Sequence, residues 1–477
     1  MRQIMRSIAT YRGKRVNNFL GLFLVVFSVA SVSAQTPGSY ADVVTKVSPA
    51  VVTIRSTERA RTAQQYPFMD DPTFREFFGD RLPQQTPRRA QGMGSGVIVN
   101  SDGYILTNHH VVDGAIEIKV ETTDNKTYIA KLVGSDPPSD LAVLKIEAQG
   151  LPTIPMGNSD RVRVGDAVLA IGNPLGVGQT VTSGIVSAKG RATGLSDGSF
   201  EDFLQTDAAI NRGNSGGALV STTGELIGIN SQILSPSGGN IGIGFAIPSN
   251  MAKAVMDQLL KDGKVRRGML GVTIQSVDAD LASSLNLPAA RGAIVTSVAV
   301  GGPAEKAGIK RGDVITAIDK QPIVDNNSLR NLVAAKGPGA TVDVTAQRNG
   351  RDQHFQIALA ELPDRPRPET EESGNGGGAS TGNEKFGLTL QPLTPQMVSR
   401  FGLDDADQGL LVTRVDPSSN AANAGIRQGD LIQEVNRQPV RTFEQFNTAL
   451  QQSGAKPALV LLKRRDTIVY VSLKPGS

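Results

Sequence analysis

The chain has 477 residues, a length that suits about three domains. It contains no cysteine, which excludes structural disulfides and thiolate metal centres. Only three histidines are present, two of them adjacent, so a histidine-based zinc site is not expected; the chemistry read below from its motifs calls for no metal or cofactor. The formal net charge is +4, but residues 35–477 hold 44 basic and 45 acidic side chains, a balance of −1 that offers no electrostatic footprint for nucleic acid.

The missing five cations are Arg2, Arg6, Arg12, Lys14 and Arg15, which head the chain with no acid among them. Phe19 to Val32 is then apolar over 14 residues, broken only by Gly21, Ser28 and Ser31, and Val32-Ser33-Ala34 offers small residues to a signal peptidase. This is the secretory pattern, so residues 1–34 are expected to be a signal peptide cleaved after Ala34. A retained anchor is the alternative, disfavoured because the apolar run is short for a bilayer.

The first folded domain is expected over residues 40–263. Val97-Ile98-Val99, Ser101-Asp102-Gly103 and Tyr104-Ile105-Leu106 form a hairpin pattern. Ile116-Glu117-Ile118-Lys119-Val120 alternates as a half-buried strand should, and Ala167–Ile171 and Glu225–Ile229 are further strand candidates. Short strands without intervening helices predict an all-β barrel or sandwich. The cluster Gly92-Met93-Gly94-Ser95-Gly96 lacks a following helix signal, so it reads as a tight entry into a strand and not as a phosphate loop. Between Arg55 and Gln91 lies a long polar segment holding Phe68, Met69, Phe74, Phe77 and Phe78; loops of this length are functional or disordered. A helix capped by Ser249 or Asn250, with Met251, Ala254, Val255 and Leu259 on its apolar face, closes the domain at Gly263.

Within this domain Asn211 to Ala218 reads Asn-Arg-Gly-Asn-Ser-Gly-Gly-Ala. Glycine reaches φ > 0 at no steric cost, so the backbone can turn sharply around Ser215 and aim the N–H groups of Gly213 and Ser215 at one point. The same composition also suits an ordinary polar turn. Two further stretches separate these readings. Thr107-Asn108-His109-His110-Val111 supplies a general base, and Ser139-Asp140-Leu141-Ala142-Val143-Leu144-Lys145 supplies a carboxylate, in the order His, Asp, Ser. A zigzag strand turns neighbours to opposite sides, so only one histidine of the pair can meet Ser215. Asp140 precedes an apolar run, whereas Asp136 precedes two prolines in a turn.

Jointly these motifs resemble the HtrA (Do) family of serine proteases, in particular periplasmic members with two PDZ domains, over everything after the signal segment. The resemblance implies a mainly β fold: a chymotrypsin-like pair of six-stranded β-barrels with the active site between them, followed by two PDZ domains. It implies His110, directly before Val111, as base, with His109 at a variable position near the surface, Asp140 as the partner of His110 and Ser215 as nucleophile. Gly213, Asn214 and Ser215 would form the oxyanion hole, and Ile229-Asn230-Ser231-Gln232 would pair with substrate and line a pocket for small aliphatic residues. The implied activity is ATP-independent endoproteolysis of unfolded or misfolded exported proteins in the periplasm, by trimers or multiples of trimers. The long loop after Arg55 would take part in oligomer contacts and in restraining the resting site. The alternative is a peptide-binding chaperone or adaptor with little use for catalysis.

The remainder is a duplication. Ala307-Gly308-Ile309-Lys310-Arg311-Gly312-Asp313-Val314-Ile315 returns 117 residues later as Ala424-Gly425-Ile426-Arg427-Gln428-Gly429-Asp430-Leu431-Ile432, and Gln321-Pro322-Ile323 returns as Gln438-Pro439-Val440. Both copies, residues 264–362 and 385–477, resemble PDZ domains. Such domains add a peptide strand to a sheet edge and hold its C-terminal carboxylate with backbone N–H groups, so hydrophobic C-terminal peptides are the expected ligands. The matching clusters are Leu270, Gly271 and Val272, and Phe386, Gly387 and Leu388, where Phe replaces the usual Leu. Helices near 328–335 and 443–451 would form the second wall of each groove. Residues 363–384 are rich in Pro, Glu, Gly and Ser and read as a flexible linker, so the second copy is expected to move independently, while the short Lys264–Met269 connection couples the first copy to the protease. His354 reads as a surface residue.

Overall fold

The computed structural model describes residues 39–58, 91–173, 178–193, 199–211, 213–233, 240–363, 382–383, 386–394, 397–398, 403–404, 407–454, 456–465 and 467–475. The expected signal segment, most of the long polar loop after Arg55 and most of the 363–384 linker lie outside the described residues.

A helix, α1 (Ala41–Val47), leads into β1 (Val51–Glu58), β2 (Gln91–Ile98), β3 (Tyr104–Thr107), β4 (Ala115–Glu121), β5 (Thr127–Asp136) and β6 (Leu141–Ile146). These close into a barrel in the order β1-β2-β3-β6-β5-β4. The hairpin signal holds: Val97 lies opposite Leu106 and Gly103 takes φ +98°. In β4 the alternation buries Ile118 and Val120 and leaves Ile116 exposed. A single helical turn, α2 (His109–Val112), leaves the end of β3. The second barrel consists of β7 (Ala167–Gly172), β8 (Thr180–Arg191), β9 (Phe203–Thr206), β10 (Ala218–Ser221), β11 (Leu226–Ile233) and β12 (Gly244–Pro248), closed in the order β10-β11-β12-β9-β8-β7. Closure removes every edge in both barrels.

The helix α3 (Ser249–Asp262) packs on β5 and β6 of the first barrel and on β11 and β12 of the second. Gly263, left-handed at φ +70°, ends it as expected. Its start differs from expectation. Pro248 occupies the cap position, and the Ser249 hydroxyl donates instead to the carbonyl of Gly157 at 2.8 Å. Its buried face is Ala252, Val255 and Leu259, with Ala254 exposed, because the helix must contact two barrels at once.

Each repeat contributes a five-strand path with a side strand and a helix across it, and in the second the strand Gly382–Asn383 adds a sixth to the path. In the first, the strands are 272–276, 293–298, 314–318, 341–348 and 351–358, with the helix Asn326–Lys336. In the second they are 388–392, 410–415, 431–435, 458–464 and 467–473, with the helix Phe443–Gln451. The repeated Gly-Asp has a structural cause. Asp313 is buried, accepts from Lys310 N at 2.8 Å and pairs with Arg348, whose Nη2 also donates to the carbonyl of Gly308 at 2.8 Å. Asp430 makes the same set with Arg427 N at 2.8 Å, Arg464, and the Gly425 carbonyl at 2.7 Å. A buried carboxylate is tolerated because its arginine and backbone donors replace water.

The second repeat does not stand apart, contrary to expectation. Val277, Leu281, Ala282, Ile294 and Val314 of the first repeat share one buried cluster with Leu459, Leu461 and Tyr470 of the second. The side-chain amide of Gln275 mimics a strand rung across the junction, donating to Tyr470 O and accepting from Tyr470 N, both at 2.9 Å. Arg311 pairs with Glu434, and Lys474 with Asp280 at 3.0 Å. Linker composition says how far a domain can travel, not whether an apolar face elsewhere will dock it.

Candidate active site

Two turns bring the first-barrel groups together. Pro137–Ser139 is a short 3₁₀ turn capped by Asp136, which accepts from Ser139 N at 3.1 Å. Asp140 follows in the left-handed region, φ +54°, a conformation that Asp and Asn tolerate. Its carbonyl accepts from Asn108 Nδ2 at 2.9 Å and from His109 N at 3.1 Å, which pins the start of α2. The carboxylate accepts from His110 N at 3.0 Å and lies 2.9 Å from His110 Nδ1 through each oxygen. A third donor is Ser231 Oγ, 2.9 Å from Asp140 Oδ2. The register of β11 against β12 slips between Asn230 and Gln232, and this bulge is what re-aims Ser231.

His109 and His110 sit on a helical turn rather than an extended strand, so they diverge by about 100° and not by a half-turn. His110 is about half exposed. His109 is more buried than expected: Nε2 lies 3.7 Å from Asp113, and its Nδ1 is sealed without a hydrogen-bond partner among the described residues.

Ser215 sits in the loop that enters β10. Gly213 takes φ +103° and Gly216 φ +83°. A Cβ on Gly216 would lie 2.1 Å from the carbonyl oxygen of Ser95, so only glycine fits. Asn214 N donates to Asn211 O at 2.9 Å, Gly216 N to Asn230 O at 2.8 Å and Gly217 N to Asn214 O at 2.9 Å. The N–H groups of Gly213 and Ser215 donate to no protein acceptor among the described residues. Asn214 N–H, between those two, is already engaged.

His110, Asp140 and Ser215 line one cleft of about 540 Å³ together with Phe200, Ser231 and Gln232. No hydrogen bond joins Ser215 Oγ to His110 Nε2 among the described residues; catalytic hydrogen bonds are often long before substrate binds. Ile229 and Asn230 do not line this cleft. Ile229 is core, and Asn230 is buried with Nδ2 bonded to Ala218 O at 3.0 Å. A nucleophile, an imidazole held by a carboxylate and two unengaged N–H groups can carry out acyl transfer.

The cleft wall also touches the first repeat, through residues that the motifs did not flag. Arg267, buried, donates to Asp136 Oδ1 at 2.8 Å. Its guanidinium stacks 4.4 Å from the ring centre of Phe200, with Arg330 5.3 Å from the same ring. Asn327 and Asn331, one turn apart on the Asn326–Lys336 helix, donate to the carbonyl of Glu201 at 2.7 and 2.6 Å. The signal that could have found Asp136 and Arg267 was the pairing itself, which spans 131 residues and has no local signature.

Gly271 and Gly387 are left-handed in the two candidate carboxylate loops, at φ +76° and +69°. The grooves differ. The 272–276 strand pairs on one side only, with 293–298, so its outer edge carries no strand among the described residues. The 388–392 strand pairs on its outer edge with Gly382–Asn383, Asn383 opposite Leu388 and Gly382 opposite Thr389.

Comparison with known proteins agrees with this architecture. Residues 94–229 match the trypsin-like peptidase domain family, and residues 268–359 and 411–464 each match a PDZ domain family. The chain is 44% identical to a probable periplasmic serine endoprotease, DegP-like, of Chlamydia trachomatis, covering 88% of this chain and 83% of that one. It is 42% identical to a probable periplasmic serine protease do/HhoA-like of Haemophilus influenzae, over 91% of each chain. Among solved structures, the HtrA-type protease AlgW with decapeptide is 48% identical with a TM-score of 0.55, covering 69% of this chain and all of that one. Double barrel, cleft and tandem PDZ domains together define a trypsin-like serine endopeptidase. Within that class the chain belongs to the HtrA (Do) family, alongside relatives named as periplasmic DegP-like endoproteases.

Proposed function

We propose that this serine endopeptidase works through His110, Asp140 and Ser215 and degrades unfolded exported proteins. His110 takes the Ser215 proton as Oγ attacks the substrate carbonyl, Asp140 holds the imidazole and stabilises its cationic form, and Gly213 and Ser215 N–H groups hold the oxyanion. An acyl-enzyme forms, and water releases it. The observation that carries this reading is the two-oxygen contact of Asp140 with His110 Nδ1 in a cleft that also exposes Ser215.

Ser231 supports the Asp140 carboxylate, and Gln232 with the cleft wall meets the substrate chain. Hydrophobic C-terminal peptides bind the first PDZ repeat at Leu270, Gly271 and Val272. The second site, at Phe386, Gly387 and Leu388, is weaker because the chain's own Gly382–Asn383 pairs with the edge a peptide would use. Occupation of the first groove reaches the cleft along the Asn326–Lys336 helix, Glu201 and Phe200. The domains run 40–263, 264–362 and 385–477, joined by a 363–384 linker. The enzyme acts in the periplasm after removal of residues 1–34, as a trimer or a multiple of trimers.

Cleavage of unfolded casein tests the reading. Ser215→Ala is expected to abolish cleavage while casein is still bound. A variant that still cleaves would show the nucleophile to be another residue, and a wild-type chain that binds without cleaving would favour the adaptor reading.

A further inference from the structure

We infer that Ser95 is a positioning residue for the oxyanion-holding loop, acting through the 213–214 and 215–216 peptide planes. The inference rests on the reading of Gly213 and Ser215 as oxyanion donors. Ser95 lies in β2 of the first barrel, opposite Thr53, and is fully buried. Its hydroxyl donates to the carbonyl of Gly213 at 2.7 Å, and its backbone N–H donates to the carbonyl of Ser215 at 2.8 Å. The same hydroxyl accepts from Asn173 N at 2.9 Å at the end of β7, and Asn173 Nδ2 in turn reaches Thr53 Oγ1 at 2.6 Å. One residue of the first barrel thus grips a second-barrel loop at two points, with its hydroxyl on the Gly213 carbonyl and its backbone N–H on the Ser215 carbonyl.

The geometry explains what this grip does. The 213–214 peptide is held at its oxygen by Ser95 and at its N–H by Asn211 O. The 215–216 peptide is held at its oxygen by Ser95 and at its N–H by Asn230 O. With those planes fixed, the donor-bearing N–H groups of Gly213 and Ser215 have little freedom to turn away from their common target. Gly213, at φ +103°, has no side chain to lock it, so its orientation depends on such external bonds. The cluster around Gly94, Ser95 and Gly96, which lies within β2 and not at the entry to a strand as expected, therefore serves the second barrel as well as its own strand. A Cβ at Gly94 would meet Val111 at 2.6 Å and Ser215 O at 3.1 Å, so the loop approaches β2 as closely as backbone allows.

Removing one oxyanion donor outright costs roughly 100- to 1,000-fold in kcat, and a tilted donor loses part of that. Ser95→Ala is therefore expected to lower kcat on a small chromogenic peptide substrate by about 10- to 100-fold with KM within about twofold. Affinity for a peptide aldehyde, which develops an oxyanion on the enzyme, should fall by the same factor, while affinity for the cleaved peptide product stays unchanged. Ser95→Cys, which keeps a weaker donor, should lie between, and it carries the same comparison if Ser95→Ala does not fold. Thr206→Val serves as a control: it removes a buried hydroxyl of β9 that donates to Ile185 O at 2.8 Å and does not line the cleft, and it should lower stability with kcat within about twofold. The inference is overturned if kcat of Ser95→Ala stays within about threefold of wild type, or if aldehyde and product affinities fall together. It is overturned equally if Thr206→Val reproduces the kcat loss. A wild-type enzyme that cleaves casein, beside an inactive Ser215→Ala, keeps the parent reading intact in each of those outcomes.

Discussion

The adjacent histidines show how much one residue's placement decides. The imidazole of His110 meets Asp140 through Nδ1, whereas His109 turns toward Asp113 at 3.7 Å. His110→Ala is expected to lower turnover by at least about 10⁴-fold, the scale on which losing a catalytic base acts. His109→Ala should keep turnover within about fivefold, with a stability change of about 1 kcal/mol or less, because its Asp113 partner is exposed. Rates on the small chromogenic substrate together with thermal melts would check both, and the reverse ranking would reassign the base. The choice between Asp140 and Asp136 follows the same logic. Asp140 holds His110, while the Asp136 carboxylate is taken up by Ser139 and Arg267.

At the scale of elements, the junction of the two PDZ repeats is the part with a pH-sensitive contact. Tyr470, on the last strand, is fully buried, and that burial, reinforced by Glu434, pushes its phenol pKa up to about 12. An exposed tyrosine titrates near 10. The docked form therefore holds its proton where the exposed form loses it. Docking is at full strength below about pH 10 and weakens progressively from there toward pH 12, by roughly 3 kcal/mol at most for a shift of this size. Tyr470→Phe should remove this extra loss. Small-angle scattering from pH 9 to 11.5 would read it as a delayed expansion of the variant relative to wild type, and identical expansion of both would show that Tyr470 does not govern the junction. The fixed relation between repeats also makes the strand Gly382–Asn383 meaningful, since the chain that leaves the linker becomes the outer rung of the second sheet.

For the whole molecule, the first repeat lies between two partners. On one side it meets the protease through Arg267, Asn327 and Asn331, and on the other the second repeat through the cluster around Leu281 and Tyr470. A coupling between peptide and cleft needs a ligand that favours one arrangement over the other, and among the described residues it is the first repeat that touches the cleft wall. Truncation after Leu362 is expected to preserve stimulation of small-substrate cleavage by a hydrophobic C-terminal peptide. The same truncation bares Val277, Leu281, Ile294 and Val314, so the shortened enzyme should melt several degrees lower and self-associate. Deleting residues 268–362 should abolish the stimulation. Loss of stimulation on truncation alone would place the receptor in the second repeat.

Much of this was legible because it is local. Hairpin turns, the glycine-flanked Ser215, the Asp140 that ends a proline turn and the 117-residue repeat each depend on neighbours a few residues apart, where φ/ψ preference and strand alternation act directly. Even the left-handed Asp140 is a property of its own residue type. The rest was decided by contacts between residues distant in sequence. Ser231 reaches Asp140 across 91 residues because a bulge turns it, and Ser95 reaches Gly213 across 118 because two barrels close against each other. Arg267 finds Asp136 across 131, and Tyr470 finds Gln275 across 195. The linker's composition announced freedom, but the apolar faces of Leu281 and Leu461 met in one core. Burial depends on what a surface faces once folded, and no run of neighbouring residues records that.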